Sequence, residues 1–209
     1  MEIFQSLNND HIEFIQEQKV FFVATAVADG RINLSPKGLD SLRVLNGNRI
    51  VWLNLTGSGN ETSAHVQESA RMTLMMNAFE GKPLILRIYG EAKTVHHLDK
   101  EWSDLISLFP YSEGSRQIFD LSISSVQTSC GWAVPEYKFI KERNILEKSN
   151  KAAGEEGIQK YWKKANTKSL DGIKTNIIEK KYWLRALSSI SSDKKEKTQN
   201  KQEQLLTCK

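Results

Sequence analysis

Between residues 20 and 130 the apolar positions recur mostly at every second residue, and Gly, Asn, Asp and Pro interrupt the alternation at short intervals. "VFFVATAVA" at 20–28 is rich in β-branched and aromatic residues, and Asp29–Gly30 after it is a two-residue hairpin signal before "RINLSPKG". Asn46, Gly47 and Asn48 make a second turn, joining "SLRVL" to "RIVWLNL". Four strands within about forty residues is the spacing of an all-β sheet or barrel. Strands resume at "ARMTLMMNA" and "LILRIYGEAKTV", separated by a turn at Glu80, Gly81, Lys82 and Pro83, and again at "IFDLSISSVQTSC".

Helices are expected at a few places between and after the strands, a short one at "ETSAHVQES" after the loop among them. Asn9 or Asp10 is placed to cap a short helix with Ile12, Phe14 and Ile15 inward, ending near Lys19. "LDKEWSDLISLF" reads as an amphipathic helix burying Leu98, Trp102, Leu105 and Leu108, stopped by Pro110. From Ile145 the apolar residues thin out, with helices expected near 154–164 and 176–187. The closing "SSISSDKKEKTQNKQEQLLTCK" cannot bury enough surface to offset ordering entropy, so a mobile tail is expected. The expected organisation is thus a barrel domain at 1–140, a helical extension packed on it at 141–187 and a polar tail at 188–209.

Composition narrows the function classes. With 39% hydrophobic and 26% charged residues the chain is ordinary for a soluble protein, no stretch approaches the ~20 apolar residues of a membrane span, and "MEIFQSLNND" has no secretory pattern. A cytoplasmic protein is expected. Cys130 and Cys208 suggest free thiols rather than a disulfide or metal framework. The net charge of +4 is uneven: residues 1–130 hold 11 Lys and Arg against 15 Asp and Glu, and residues 131–209 hold 18 against 10. Lys and Glu alternate in the basic part and no nucleic-acid reading module is present, so nucleic acid is not an expected partner.

The chemistry concentrates in "NLTGSGNETSAH" at 54–65. Ser58 and Glu61 have capping-box spacing, which would start a helix at Ser58 and leave first-turn N–H groups free. Such donors suit a phosphate. Gly57 and Gly59 permit close backbone approach, while Thr56, Ser58, Thr62 and Asn60 add hydrogen-bonding side chains. A well-capped turn explains the same residues. In "NLSPKG", Pro36 and Gly38 indicate an edge or irregular strand, and Lys37 is either a solvated lysine or a cation facing a ligand.

The order of "NLSPKG" (33–38), "WLNLTGSGNETSAHV" (52–66), "ARMTLMMNAFEGKP" (70–83), "LRIYGEA" (86–92), "SCGWAVPEY" (129–137) and "SLDGI" (169–173) resembles the pyridoxamine 5'-phosphate oxidase-like family of FMN-binding split barrels. The resemblance implies an α+β, mainly β fold, a six-stranded split barrel with peripheral helices. It also implies a homodimer with two FMN at its interface and an oxidoreductase acting on a small molecule. It places the FMN phosphate at the start of the helix after Ser58, with Thr56, Ser58, Gly59, Asn60 and Thr62 as contacts, and the isoalloxazine beside Ser35, Pro36 and Lys37. Where the authentic oxidases carry an Arg-Lys pair, this chain has Glu61 and Thr62, leaving Lys37 and Arg71 to meet the phosphate charge. Trp132 is either a core residue or the aromatic that approaches the flavin of the opposite subunit. Arg87 and Tyr89 face solvent, an interface or a pocket.

"KSLDGIKTNIIEKKYW" lacks the histidine-containing substrate motif of the authentic oxidases, so a substrate other than a B6 vitamer is expected. The competing class is a non-catalytic flavin-binding protein for sensing, storage or scaffolding; a haem-handling barrel is disfavoured because no histidine sits in an axial-ligand context. His96 and His97, adjacent on a strand, read as surface residues, and His65 as an ordinary helix-face histidine. Neither a metal cluster nor a Ser-His-Asp order is expected.

Overall fold

A computed structural model describes residues 1–178. One antiparallel sheet dominates it, with strands β1 (Glu2–Phe4), β2 (Val20–Thr25), β3 (Asn33–Gly38), β4 (Leu42–Asn46), β5 (Arg49–Leu55), β6 (Arg71–Asn77), β7 (Ile85–Val95) and β8 (Ser115–Ser129). Their order is β3-β2-β6-β7-β8-β5-β4, with β1 also paired to β8. Helices α1 (Asn9–Glu17), α2 (Glu61–Glu68), α3 (Trp102–Ile106) and α4 (Ile145–Ala165) lie outside the sheet path. The alternating pattern located seven strands; β1, three residues long, is additional, and the sheet has eight strands where the barrel was expected to have six.

The sheet curls on itself because one face carries nearly all the large apolar side chains. Phe21, Val23, Ile50, Trp52, Met72, Leu74, Met76, Leu86, Ile88, Phe119 and Leu121 form one buried cluster. Phe21 on β2 meets Trp52 on β5 edge-on at 6.1 Å although three strands separate them in the sheet, and Trp52 stacks on Phe119 at 4.5 Å. Only a half-barrel brings those rings together. A smaller cluster of Val51, Leu53, Val95, Leu105, Phe109 and Ile118 lies under α3 on the opposite face, so β8 is buried on both sides from Ser115 to Leu121.

Several local expectations are overridden by tertiary contacts. Asn8, rather than Asn9 or Asp10, caps α1 through a reciprocal box in which its side chain accepts from the His11 N–H and the His11 ring accepts from the Asn8 N–H. Asp29–Gly30 is not a two-residue turn: the last β2–β3 pair is Thr25 with Asn33, leaving a seven-residue loop. That loop is tied down by Asp171, whose carboxylate accepts from the Arg31 backbone and guanidinium. The helix expected across 98–109 shrinks to five residues, because the Asp99 side chain takes the His96 N–H at 2.8 Å and makes a tight turn. Leu98 and Leu108 are consequently exposed, and Phe109 is buried in their place.

α4 begins earlier than the helix expected at 154–164, with a break at Gly154, which adopts φ 61°. Residues 176–178 are not helical. The rest of the helix expected at 176–187, the tail expected at 188–209 and Cys208 lie outside the described residues. Cys130 is an exposed free thiol.

Gly90 marks the closest backbone approach in the sheet. It sits at the β7–β8 bulge, where an added Cβ would stand 2.1 Å from the Ser122 carbonyl oxygen. The Gly90→Ala substitution is expected to cost ~3 kcal/mol, measured by chemical denaturation, because backbone atoms cannot yield as a side-chain tip can. An unchanged midpoint would show that the two strands separate there without penalty.

Candidate functional site

The loop at 56–60 leaves β5 and enters α2, and its geometry is fixed at the first residue. Thr56 donates both its backbone N–H (2.7 Å) and its hydroxyl (3.0 Å) to the Gly114 carbonyl, and its Oγ1 accepts from the Trp162 indole N–H at 2.9 Å. The next carbonyls point into the protein. Arg116 Nη1 donates to Gly59 O at 3.0 Å and more weakly to Gly57 O at 3.4 Å, and Asn166 Nδ2 donates to Gly57 O at 3.0 Å. α2 then starts at Glu61 with Asn60 as N-cap and no side-chain cap on its first-turn N–H groups.

The predicted Ser58–Glu61 box does not form. Glu61 is drawn away by the C-terminal segment, its carboxylate accepting from the Leu170 N–H at 3.0 Å, and Ser58 is exposed.

Arg116 is the centre of charge. It is 3% exposed, its Nη1 is occupied by carbonyl oxygens and by Asn166 Oδ1 (2.8 Å), and its Nε is buried without a partner. Among the described residues no carboxylate lies within ion-pair distance of it. Burial pushes its guanidinium down to about 10, so it stays charged at neutral pH. A buried cation held only by neutral acceptors is costly unless an anion completes it.

Lys37 is a second cation in the same field. Its Nζ lies 5.4 Å from the Trp52 ring centroid, over the aromatic stack in the mouth of the half-barrel. Burial, and then the Arg116 charge, bring its ammonium down to about 8. Ser35 follows on the same face of β3, with its hydroxyl buried and unpartnered, and Asn60 Oδ1 is likewise orphaned. Asn33 joins β3 to α2 by donating to Thr25 Oγ1 (3.2 Å) and Thr62 Oγ1 (3.1 Å).

The structure therefore gathers Ser35, Lys37, Thr56, Gly59, Asn60 and Thr62 around one loop and helix start. Pro36 is on the exposed side of β3. Arg71 does not join the group: it is exposed, bonds Ser69 Oγ, and lines a separate cavity of about 610 Å³ with Tyr89, Glu91 and Ser122. Trp132 is 82% exposed, which removes the core reading. Arg87 and Tyr89 bond Ser129 and Gln127 on the neighbouring strand.

The surface reading of His96 and His97 is corrected, and His65, on α2 as expected, is buried. His96 is buried, His97 stacks on Trp102 at 4.0 Å, and His65 is 1% exposed with Nδ1 on Thr25 Oγ1. Among the described residues no cluster of three metal-ligating side chains occurs, and no helix is long and apolar enough to cross a membrane.

Arg116, Asn166 and Trp162 were missed by sequence reasoning. An arginine inside the buried run at the start of β8 was the one available signal; nothing local marks Asn166 or Trp162 as neighbours of a loop a hundred residues away.

The family profile described as pyridoxamine 5'-phosphate oxidase matches residues 7–130. The pyridoxamine 5'-phosphate oxidase family protein ustO of Aspergillus flavus is 34% identical over 137 residues, 63% of this chain and 55% of that protein, so the chain spans about half the length of this curated relative. Three solved structures are similar at low identity. A Lactobacillus delbrueckii protein named as a candidate pyridoxamine 5'-phosphate oxidase is 18% identical, over 59% of this chain and 95% of that one, with a TM-score of 0.49. The haem storage protein HutZ of Vibrio cholerae is 19% identical, over 56% and 89%, at 0.43. An FMN-binding protein of Syntrophomonas wolfei is 11% identical, over 61% and 82%, at 0.41.

The Lys37 environment has a defined pH signature. Its folded value near 8 lies below its ordinary 10.5, so between these values the unfolded chain binds more protons than the folded one. The cost of charging Lys37 in the fold is therefore complete below pH 8 and disappears as pH rises toward 10.5. Lys37→Met is expected to be the more stable protein at pH 7, with the difference from wild type shrinking across that window in denaturation curves. A difference independent of pH would show that Lys37 is solvated.

Proposed function

Because this chain belongs to the pyridoxamine 5'-phosphate oxidase family, we propose that it binds FMN and acts as an FMN-dependent oxidoreductase on a small molecule other than a B6 vitamer. The observation that carries the reading is the buried, unneutralised Arg116 guanidinium beside the uncapped amino end of α2. Those groups fit a phosphate dianion: the N–H donors of the first turn and Arg116 Nε are donors in want of an acceptor. The orphaned Asn60 Oδ1 is an acceptor and the Ser35 hydroxyl can serve either way, which suits a ligand that also carries hydroxyl groups. Bound FMN supplies reversible electron transfer; the protein supplies position and charge.

Within this reading Arg116 and the α2 amino end hold the phosphate, Thr56 and Thr62 keep loop and helix in register, and Lys37 sets the charge beside the aromatic floor. Trp132, left in solvent by its own chain, suits a contact across a homodimer in which each subunit completes the other's flavin site. The missing Arg-Lys pair after the loop serine is compensated by Arg116, which reaches the same loop from β8. The absence of histidine from the segment at 166–178 separates the chain from B6 oxidation.

The purified protein is expected to be yellow and to release FMN on denaturation. Arg116→Gln should weaken FMN binding about 10–100-fold, the worth of a charge-assisted contact, while leaving riboflavin, which has no phosphate, nearly unaffected. Affinity for FMN should also fall as pH rises through about 8 in the wild type and not in Lys37→Met, read by fluorescence quenching. Anaerobic mixing with NADH and NADPH then tests turnover. Reduction by either supports the oxidoreductase; bound flavin that neither nucleotide reduces favours a storage or sensing role, and a protein that takes up no FMN refutes the proposal.

A further inference from the structure

The segment at 166–175, although far along the chain, is built into the anion site as a strap. Asn166 is fully buried; its N–H closes the end of α4 on the Trp162 carbonyl, and its side chain and carbonyl face the loop and Arg116. Its Oδ1 accepts from Arg116 Nη1 at 2.8 Å, its Nδ2 donates to Gly57 O at 3.0 Å, and its main-chain carbonyl accepts from Asn60 Nδ2 at 3.2 Å and from the Thr175 hydroxyl at 2.5 Å. Leu170 and Asp171 continue the strap onto Glu61 and Arg31. One amide side chain thus fixes the guanidinium and the loop together.

An aspartate would make the stronger bond to Arg116, but it would neutralise it; the amide orients the guanidinium and leaves its full charge for a ligand. We infer that Asn166 is a positioning residue whose neutrality keeps Arg116 available to an anion, so that binding of the phosphate group depends on a residue that need not touch it. This rests on the flavin reading above for the identity of the anion, though the neutrality argument applies to any phosphate-bearing ligand.

Asn166→Asp separates the charge role of the clamp from its structural role because only a ligand that carries a phosphate senses the loss of Arg116's charge. The new ion pair with Arg116 is opposed by the second carboxylate oxygen, which meets the Gly57 carbonyl where the amide donated, so the ligand-free melting temperature is not expected to rise. FMN affinity at pH 7 falls roughly tenfold or more while riboflavin affinity stays within about twofold. A residue that merely holds the fold would move stability and both affinities together. Asn166→Ser, neutral but shorter, provides the second arm: it loosens the clamp without neutralising Arg116, and it should lose stability while keeping more of the FMN affinity than the aspartate variant does.

Inorganic phosphate is the probe that makes the inference independent of flavin. Millimolar phosphate should raise the melting temperature of the wild type and not that of Asn166→Asp. If the wild type binds no FMN yet shows this phosphate effect and Asn166→Asp abolishes it, the flavin reading fails and the role of Asn166 stands. Equal FMN or phosphate binding by wild type and Asn166→Asp overturns the inference, as does a wild type insensitive to both ligands, or an FMN loss in Asn166→Ser as large as in Asn166→Asp.

Discussion

The hydrogen bonds from Arg116 to two glycine carbonyls and one amide oxygen constrain everything around them. A guanidinium that is almost wholly buried needs acceptors, and the ones it has are uncharged, so the loop at 56–60 must turn its carbonyls inward to satisfy it. That orientation commits the amino end of α2 to face away from those carbonyls with its N–H groups uncapped. The positive field of the helix end and the positive charge of the side chain then reinforce each other instead of being matched internally. Thr56, Asn166 and Trp162 hold the arrangement by bonds that add no negative charge.

The half-barrel determines where the second cation stands. Curling of the sheet is driven by the apolar face, whose rings meet across it from β2 and β5. Because β3 pairs with β2 in the register that sets Lys37 opposite Phe21, the same curvature that closes the core carries the Lys37 ammonium over Trp52. Its lowered proton affinity follows from packing and from Arg116 together. Core formation and site electrostatics are therefore one event viewed from two sides, and a change in the aromatic stack would alter the charge state of the site without touching its polar residues.

The sheet was legible in the sequence because strand alternation is a local property: β2, β5, β6, β7 and β8 fall where the pattern of Val, Ile, Leu and Phe places them. The resemblance to flavin barrels drew attention to Lys37 and the loop at 56–60. What was not legible shares a single cause. The Asp29–Gly30 turn, the Ser58–Glu61 box and the setting of Arg116 each depend on the segment at 166–175, through Asp171, Leu170 and Asn166 in turn. No local propensity anticipates partners 50 to 140 residues away. Lys37 and Arg71 were the candidates for the phosphate charge, whereas Arg116 reaches the loop from a strand that lies beside β5 only in the folded sheet.

That distance along the chain has a consequence for biosynthesis. Strand pairing, the aromatic stack and the loop at 56–60 all lie within the portion translated first, yet the amide that orients Arg116 is added some fifty residues after the arginine itself. A nascent chain paused before residue 166 holds every strand of the sheet but lacks the amide that orients Arg116, so the guanidinium can take its final place only after the residues of the whole sheet have been made.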